Sequence, residues 1–247
     1  MLRSFMRKPL LAVFGAVVCL LLSVSARADQ SAQSFKKQVN ETIGLDYLLY
    51  VPADYSEESE KEWPLVVFLH GAGERGADLE KVALHGPPAK VKAGESFPFI
   101  LASPLCPEGG WWTDEPVLEF IGHLEETLKV DTSRIYLTGL SMGGYGTWHF
   151  ATRAPERFAA IAPVCGGGIP YLMRWIKEMP VWAFHGGKDT VVPLDESERL
   201  IKKLKEFQNE DAKLTVYPEA GHNSWTEAYD TAALYEWLLS HSLPVDN

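Results

Sequence analysis

Short apolar runs alternate with amphipathic stretches along most of this chain, and this alternation limits the folds that it can adopt. The runs are rich in β-branched and large apolar residues, and turns bound most of them, which predicts β-strands. The predicted strands cover residues 47–51, 65–69, 99–103, 134–138, 159–164, 181–185 and 214–217. Strands that alternate with helices favour an α/β fold, in which a mostly parallel sheet has helices on both faces. Functional residues then collect at the carboxyl ends of the strands.

The stretches between these strands carry apolar residues at helical spacing. One set is Val117, Ile121, Leu124 and Leu128, and another is Leu200, Ile201, Leu204 and Phe207. Ser224 and Glu227 have the spacing of a capping box, which predicts the start of a last helix that carries Leu234 and Leu238. No internal repeat interrupts the pattern, so we expect one α/β domain.

The first 28 residues have the three parts of a secretory signal peptide. A basic start precedes an apolar stretch over residues 10–24, and the small residues of 26–28 follow. The apolar stretch is short for a membrane anchor, which needs about 20 such residues. We therefore expect cleavage after Ala28 and a mature domain over 29–247. The protein would be secreted or periplasmic, without a stable membrane anchor.

Net charge and cysteine spacing indicate which partners, anchors and metal sites the protein is expected to lack. Removal of residues 1–28 changes the formal net charge from −10 to −14, because that segment holds four basic and no acidic side chains. Nucleic-acid binding needs a basic surface, so we expect no nucleic-acid partner. The apolar run continues past Cys19, which disfavours a lipid anchor there. Cys106 and Cys165 lack zinc-site spacing, and we expect two buried thiols, with a disulfide as the alternative.

The stretch VVFLHGAGERG, residues 66–76, has two interpretations. Gly71, Gly73 and Gly76 form G-x-G-x-x-G after an apolar run, which is the dinucleotide-binding fingerprint. The same stretch also reads as a strand that ends in His-Gly, where the next backbone amide holds an oxyanion in some hydrolases. This stretch alone leaves both interpretations open.

A second glycine-rich stretch, residues 139–143, has the pattern G-x-S-x-G around Ser141. Such a serine lies on a sharp turn from strand to helix, and small neighbours let the backbone make that turn. The apolar run before it and the helical pattern after it supply this context. Ser141 is therefore the predicted nucleophile, with a hydrogen-bonding serine in a glycine-rich turn as the alternative.

A serine hydroxyl needs a base, and the chain holds seven histidines. His222 follows the last predicted strand and precedes the last helix, which is the loop position that a base requires. The others fall in predicted helices, in the tail, in a polar loop or at strand ends that precede or adjoin other elements. They are His70, His85, His123, His149, His185 and His241. His222 is thus the predicted base.

An acid must orient that base, and Asp189 follows the strand that ends at His185. Asp195 and Glu196 also lie nearby, but they open a predicted helix, where acidic residues are common. With Asp189 as the acid, the order along the chain is Ser141, Asp189, His222. This is the order of α/β-hydrolases.

These motifs together resemble the α/β-hydrolase family. The stretches FLHGAGERG, IYLTGLSMGGYGTW, IAPVCGGG, HGGKDTVVP and GHNSW are similar to those of dienelactone hydrolases, feruloyl and acetylxylan esterases, and prolyl-oligopeptidase-like domains. The resemblance implies a serine carboxylic-ester hydrolase that forms an acyl-enzyme and uses no metal or cofactor. It also implies oxyanion donors at the backbone amides of Ala72 and Met142. A dinucleotide site would leave the serine, aspartate and histidine unexplained, so we favour the hydrolase.

The sequence says less about the substrate. Trp111, Trp112 and Trp225 lie in loops near predicted strand ends and are candidates for contact with a sugar or phenolic group, with packing as an equal alternative. Arg75 is a weaker candidate for a substrate carboxylate. Segment 165–180 is too short for a large cap domain. We expect short-acyl or aromatic-acid esters, including carbohydrate-linked ones. A peptidase or amidase, a phospholipase- or thioesterase-like hydrolase and a non-catalytic binding module remain alternatives.

Overall fold

The computed structural model of the protein describes residues 42–113 and 116–244. Seven strands follow one another in these ranges: β1 (Tyr47–Tyr50), β2 (Trp63–Leu69), β3 (Ile100–Pro104), β4 (Val130–Leu140), β5 (Ala160–Val164), β6 (Val181–Gly186) and β7 (Ala212–Tyr217). The α-helices are α1 (Gly86–Lys92), α2 (Val117–Thr127), α3 (Met142–Arg153), α4 (Asp195–Glu206), α5 (Trp225–Asp230) and α6 (Ala232–Leu239). Short 3-10 helices cover Ala72–Glu74, Leu79–Leu84, Pro155–Arg157 and Pro170–Ile176.

The strands form one sheet in the order β1-β3-β2-β4-β5-β6-β7, in which β1 alone is antiparallel to its neighbour. The chain leaves β2 for β3 on one side and then crosses to β4 on the other. In open sheets of this kind, ligands usually bind at the carboxyl ends of the strands near such a change of direction. This is the predicted α/β-hydrolase fold, and the prediction is confirmed.

Apolar side chains cover the sheet on both faces. One buried cluster joins the sheet to α2, α3 and α4 through residues such as Ile121, Trp148 and Leu200. The other joins it to α5 and α6 through Tyr229 and Leu234. Because both faces are covered, the central strands consist of nearly continuous apolar residues, as parallel strands usually do. Among the described residues, no helix is long and apolar enough to cross a membrane.

Two glycines let β2, β4 and α3 approach closely. A methyl group on Gly143 would overlap the backbone carbonyl of Leu69, at the end of β2. A methyl group on Gly139 would overlap the carbonyls of both Gly143 and Leu69. The small residues of the G-x-S-x-G pattern are thus required by backbone packing, and the packing brings the end of β2 beside the start of α3.

Four sequence-based expectations differ from the structure or fall outside it. The strand predicted over 134–138 starts earlier, because Val130 pairs with Trp63 of β2. The single last helix is wrong: Thr231 has an extended backbone and separates α5 from α6. The capping box is also wrong, since the Ser224 side chain makes no cap hydrogen bond and its hydroxyl is buried. The predicted signal peptide lies outside the described residues.

The packing at Gly143 predicts a large loss of stability for Gly143→Ala. The added methyl group must displace the backbone of β2, so we expect the free energy of unfolding to fall by about 3 kcal/mol or more. Gly122→Ala on α2 is the matched control, because a methyl group there has no atom within 4 Å. That change should raise the free energy of unfolding by about 0.5–1 kcal/mol, since alanine is a better helix former than glycine. Urea unfolding measures both, and equal effects would contradict the argument.

Candidate active site

Ser141 lies on a sharp turn between β4 and α3. Its backbone has φ = 53°, a left-handed conformation that residues other than glycine rarely adopt. The Ser141 amide donates a hydrogen bond to the carbonyl of Val164, 3.0 Å away, which ties the turn to the end of β5. The surrounding strands thereby hold a strained residue at the carboxyl edge of the sheet, and such strain is typical of functional sites.

His222 and Asp189 complete a hydrogen-bonded chain with this serine. The distance from Ser141 Oγ to His222 Nε2 is 2.9 Å, and His222 Nδ1 lies 2.8 Å from Asp189 Oδ2. A carboxylate can only accept, so Nδ1 carries the hydrogen and Nε2 is free to accept one from the hydroxyl. The structure thus brings the three predicted residues together in the order that proton transfer requires.

The Asp189 carboxylate is held from several sides. Its Oδ1 accepts hydrogen bonds from the backbone amides of Val191 and Val192, each 2.9 Å away. The side chain has no exposed surface, and His185 Nε2 lies 3.4 Å from Oδ2. A buried carboxylate needs such partners.

Asp195, the neighbouring acidic residue that was not predicted to orient the base, is the first residue of α4. This position agrees with the expectation that it stabilises the start of a helix.

The turn after β2 lies directly beside Ser141. A methyl group on Gly71 would come within 3.7 Å of Ser141 Cβ. Ala72 starts a 3-10 helix and Met142 starts α3, so neither amide has an acceptor within its own helix. Backbone donors of this kind can bind an oxyanion, and the assignment of these two amides to that role stays a prediction.

His70 fixes this turn, although the sequence analysis set it aside. Its Nδ1 donates to the carbonyl of Gly71, 2.7 Å away, and its Nε2 accepts from the amide of Cys106 at 3.0 Å. Burial, helped by the charge of Arg75 and opposed by the bond to Gly71, lowers the pKa of His70 to about 4. The ring is therefore neutral at ordinary pH, with its hydrogen on Nδ1. Only the three-dimensional pairing of β2 with the loop at Cys106 reveals this role.

The predicted substrate-contacting residues fall into different environments. Trp112 is completely buried and donates from Nε1 to the carbonyl of His70 at 2.8 Å, so it packs beneath the turn and has no free face for a substrate. Arg75 donates to the carbonyls of Ala72 and Gly110, at 3.0 and 3.1 Å. These bonds anchor the turn to the next loop.

Trp225 lies between the candidate base and a second histidine, His85, in a series of ring contacts. The Trp225 ring is half-buried and lies edge-on to His222, with 5.4 Å between the ring centroids. The His85 ring, predicted to lie in a polar loop, is tilted towards the Trp225 ring, with 5.4 Å between the ring centroids. Its Nε2 is 3.7 Å from the carboxylate of Glu74, which is nearly buried. The sequence offers no periodic signal for this contact, because the residues come from separate loops.

An aromatic cavity of about 160 Å³ begins one helical turn beyond the nucleophile. Tyr145, whose amide donates to the carbonyl of Ser141, lines it together with Trp111. Trp111 is 38% exposed, and its ring lies 6.5 Å from that of Tyr145. Ile169 and Leu172, from the segment between β5 and β6, also line the cavity. Of the three predicted tryptophans, Trp111 is thus the one that lines this cavity.

Cys106 and Cys165 are both buried thiols and form no disulfide with each other. Cys165 follows β5 directly, and its amide donates to the carbonyl of Phe184 at 2.8 Å. Burial raises the pKa of the Cys165 thiol to about 12. This thiol is protonated at neutral pH and does not compete with Ser141 as a nucleophile.

Residues 114–236 match the family model of the Dienelactone hydrolase family. A bifunctional acetylxylan esterase/xylanase of Neocallimastix patriciarum is 25% identical over 205 residues, which cover 78% of this chain and 28% of that protein. A protein of Aspergillus niger named "Probable feruloyl esterase C" is 25% identical over 195 residues, or 76% of this chain and 70% of that protein. The resemblance inferred from the motifs is confirmed, although this chain spans less than a third of the first relative.

Among solved structures, a thermostable esterase superposes on this chain with a TM-score of 0.69 and 36% sequence identity. The match covers 80% of this chain and 59% of that one. The similarity extends over most of the described sheet and supports the fold independently of the sequence motifs.

The lowered pKa of His70 predicts a pH-dependent stability. The unfolded chain binds a proton on this histidine below about pH 6.5, whereas the folded chain stays neutral until about pH 4. Stability should therefore fall as the pH falls through this window, by up to about 3 kcal/mol from this group. We expect His70→Gln to remove that part of the slope in urea unfolding between pH 7 and 4. His123→Gln, on the exposed side of α2, should keep the wild-type slope, and a wild-type slope in His70→Gln would refute the assignment.

Proposed function

We propose that this chain, which carries a dienelactone hydrolase family domain, is a serine carboxylic-ester hydrolase that works through an acyl-enzyme. The observation that carries the proposal is the continuous hydrogen-bonded chain from Ser141 Oγ through His222 to Asp189. It ends on a strained strand-to-helix turn, where a nucleophilic serine belongs.

The proposed reaction starts with attack of Ser141 Oγ on the ester carbonyl. His222 Nε2 takes the hydroxyl proton, while Asp189 holds the ring and balances the charge of the imidazolium. The amides of Ala72 and Met142 donate to the oxyanion, and each such donor stabilises the transition state by about 3 kcal/mol. His222 then protonates the leaving alcohol, and water repeats the sequence to release the acid. These side chains and water suffice for every step.

The cavity beside Trp111 and Tyr145 supports a preference for short or aromatic acyl groups. Its volume of about 160 Å³ is small, and aromatic rings on one wall can contact a planar group. Only one 3-10 helix, Pro170–Ile176, lies between β5 and β6. A long acyl chain would leave much of its length in water and would lose about 0.8 kcal/mol for each unburied methylene.

We propose esters attached to carbohydrate as one class of substrate, since two relatives carry the names acetylxylan esterase/xylanase and feruloyl esterase. Trp225 lies beside the base and would then border the leaving alcohol. Arg75 is assigned to holding the turn after β2, because its guanidinium already donates to two backbone carbonyls.

We also propose that residues 1–28 direct export and are then removed. Amino-terminal sequencing of the mature protein tests this proposal, and Asp29 should be the first residue found.

Loss of either triad side chain should stop the reaction. We expect Ser141→Ala and His222→Ala each to lower kcat by about 10⁴-fold or more, because triad residues act as a unit. The double variant should be scarcely slower than either single variant. The measurement is p-nitrophenyl acetate hydrolysis, with circular dichroism to show that each variant is folded. Losses that multiply in the double variant would contradict the assignment.

The same preparations distinguish the alternatives. Labelling of Ser141 by a fluorophosphonate probe separates a hydrolase from a non-catalytic binding module, which would not react. Comparison of an ester with the corresponding anilide separates an esterase from a peptidase or amidase. Faster turnover of the anilide would overturn the ester assignment while leaving the triad in place.

Acyl-chain length should separate this enzyme from a lipase. We expect kcat/KM to be highest for acetyl to butyryl or for feruloyl esters and to fall towards palmitoyl. Trp111→Ala should lower kcat/KM for methyl ferulate more than for p-nitrophenyl acetate, because only the larger group would reach the ring. Trp175→Ala is a control, since this tryptophan is 59% exposed and does not line the cavity. A steady rise of kcat/KM to palmitoyl would show a lipase-like enzyme.

A further inference from the structure

The Cys165 thiol lies behind the triad, where the proposed reaction does not use it. The residue has φ = 40°, an uncommon conformation, and its side chain is completely buried. The Ser141 backbone approaches the thiol from one side. The buried hydroxyl of Ser224 faces the thiol as well and has no other hydrogen-bond partner among the described residues.

Three metal-ligand groups converge at this point. A sulfur of Cys165, a carboxylate oxygen of Asp189 and a ring nitrogen of His222 all lie within 4.8 Å of one another. Donor atoms around a tetrahedral zinc ion are about 3.5 Å apart, given metal–ligand distances of about 2.0–2.3 Å. The cluster therefore needs to contract by about an ångström, and the Ser224 hydroxyl is available as a neighbouring oxygen.

The sulfur, nitrogen and oxygen ligand atoms favour one class of metal ion. Thiolate and imidazole ligands favour zinc and its softer relative cadmium, whereas magnesium and calcium prefer sites made of oxygen alone. The His222 side chain is 20% exposed, so one of the three ligand groups is in contact with solvent.

We propose that Cys165, Asp189 and His222 form an inhibitory site for Zn²⁺ or Cd²⁺ behind the triad. The ion bonds to the sulfur, to Asp189 and to His222 Nδ1, and it replaces the hydrogen bond between the last two. The thiol proton leaves to solvent, and the Nδ1 hydrogen is exchanged for one on Nε2. A ring with hydrogen on Nε2 cannot accept the Ser141 proton, so the bound ion stops the reaction without touching the serine.

Metal titration of untagged, chelator-treated protein tests this site. Cd²⁺ should bind with one ion per chain and produce the ultraviolet charge-transfer band of a cadmium–thiolate bond. Ester hydrolysis should be lost over the same titration, while Mg²⁺ has no effect. Cys165→Ser and Cys165→Ala should lose the band and raise the inhibition constant about 100-fold, each measured relative to its own metal-free rate. Cys106→Ser, which alters the other buried thiol, should behave as the wild type.

Several outcomes would overturn the proposal. Absence of the charge-transfer band in the wild type excludes the thiol as a ligand, and so does an unchanged inhibition constant in both Cys165 variants. Phosphonate labelling without metal shows that each variant is folded. Cd²⁺ binding to Ser141→Ala needs no turnover, so failure of the proposed ester hydrolysis would leave this test intact.

Discussion

Two backbones approach each other closely where β2 and β4 end, because Gly139 and Gly143 have no side chains there. Parallel pairing of Leu69 with Gly139 sets the register of this approach. The turn at Gly71 then lies beside Ser141, and each of these residues directly precedes a helix-starting amide. Pairing of Leu140 with Val164 extends the alignment to β5. Backbone packing in the sheet thus determines the position of the serine and of both candidate oxyanion donors.

Strands and helices with a clear pattern of apolar residues could be predicted from the sequence, but the pairing of the strands could not. Central strands such as β2 and β5 are continuous apolar runs, so their positions follow from composition alone. The start of β4 contains Asp131 and Ser133, and those residues join a strand only because Trp63 pairs with Val130. Ser224 has the local pattern of a helix cap, but its hydroxyl is buried, and tertiary packing overrides the local preference.

The same distinction holds within the candidate site. Ser141, Asp189 and His222 each follow a strand, and that chain position marks them without knowledge of the fold. The contacts of His70, His85 and Cys165 join separate segments of the chain, and such contacts leave no pattern in one sequence. His70 also shows that a buried histidine has several roles open to it: a neutral ring with two backbone partners serves as a fixed spacer between loops.

The segment between β5 and β6 supplies one wall of the aromatic cavity but none of the hydrogen-bonded triad. Its exposed side chains include Ile169 and Tyr171, and Arg199 of α4 anchors it through the carbonyl of Gly168 at 3.1 Å. In the proposed function, part of substrate selection therefore lies in a segment that holds none of the three triad residues. Evolutionary divergence in this segment, or loop grafting in the laboratory, could then change substrate selectivity. Ser141, Asp189 and His222 would keep their positions at the ends of the sheet strands.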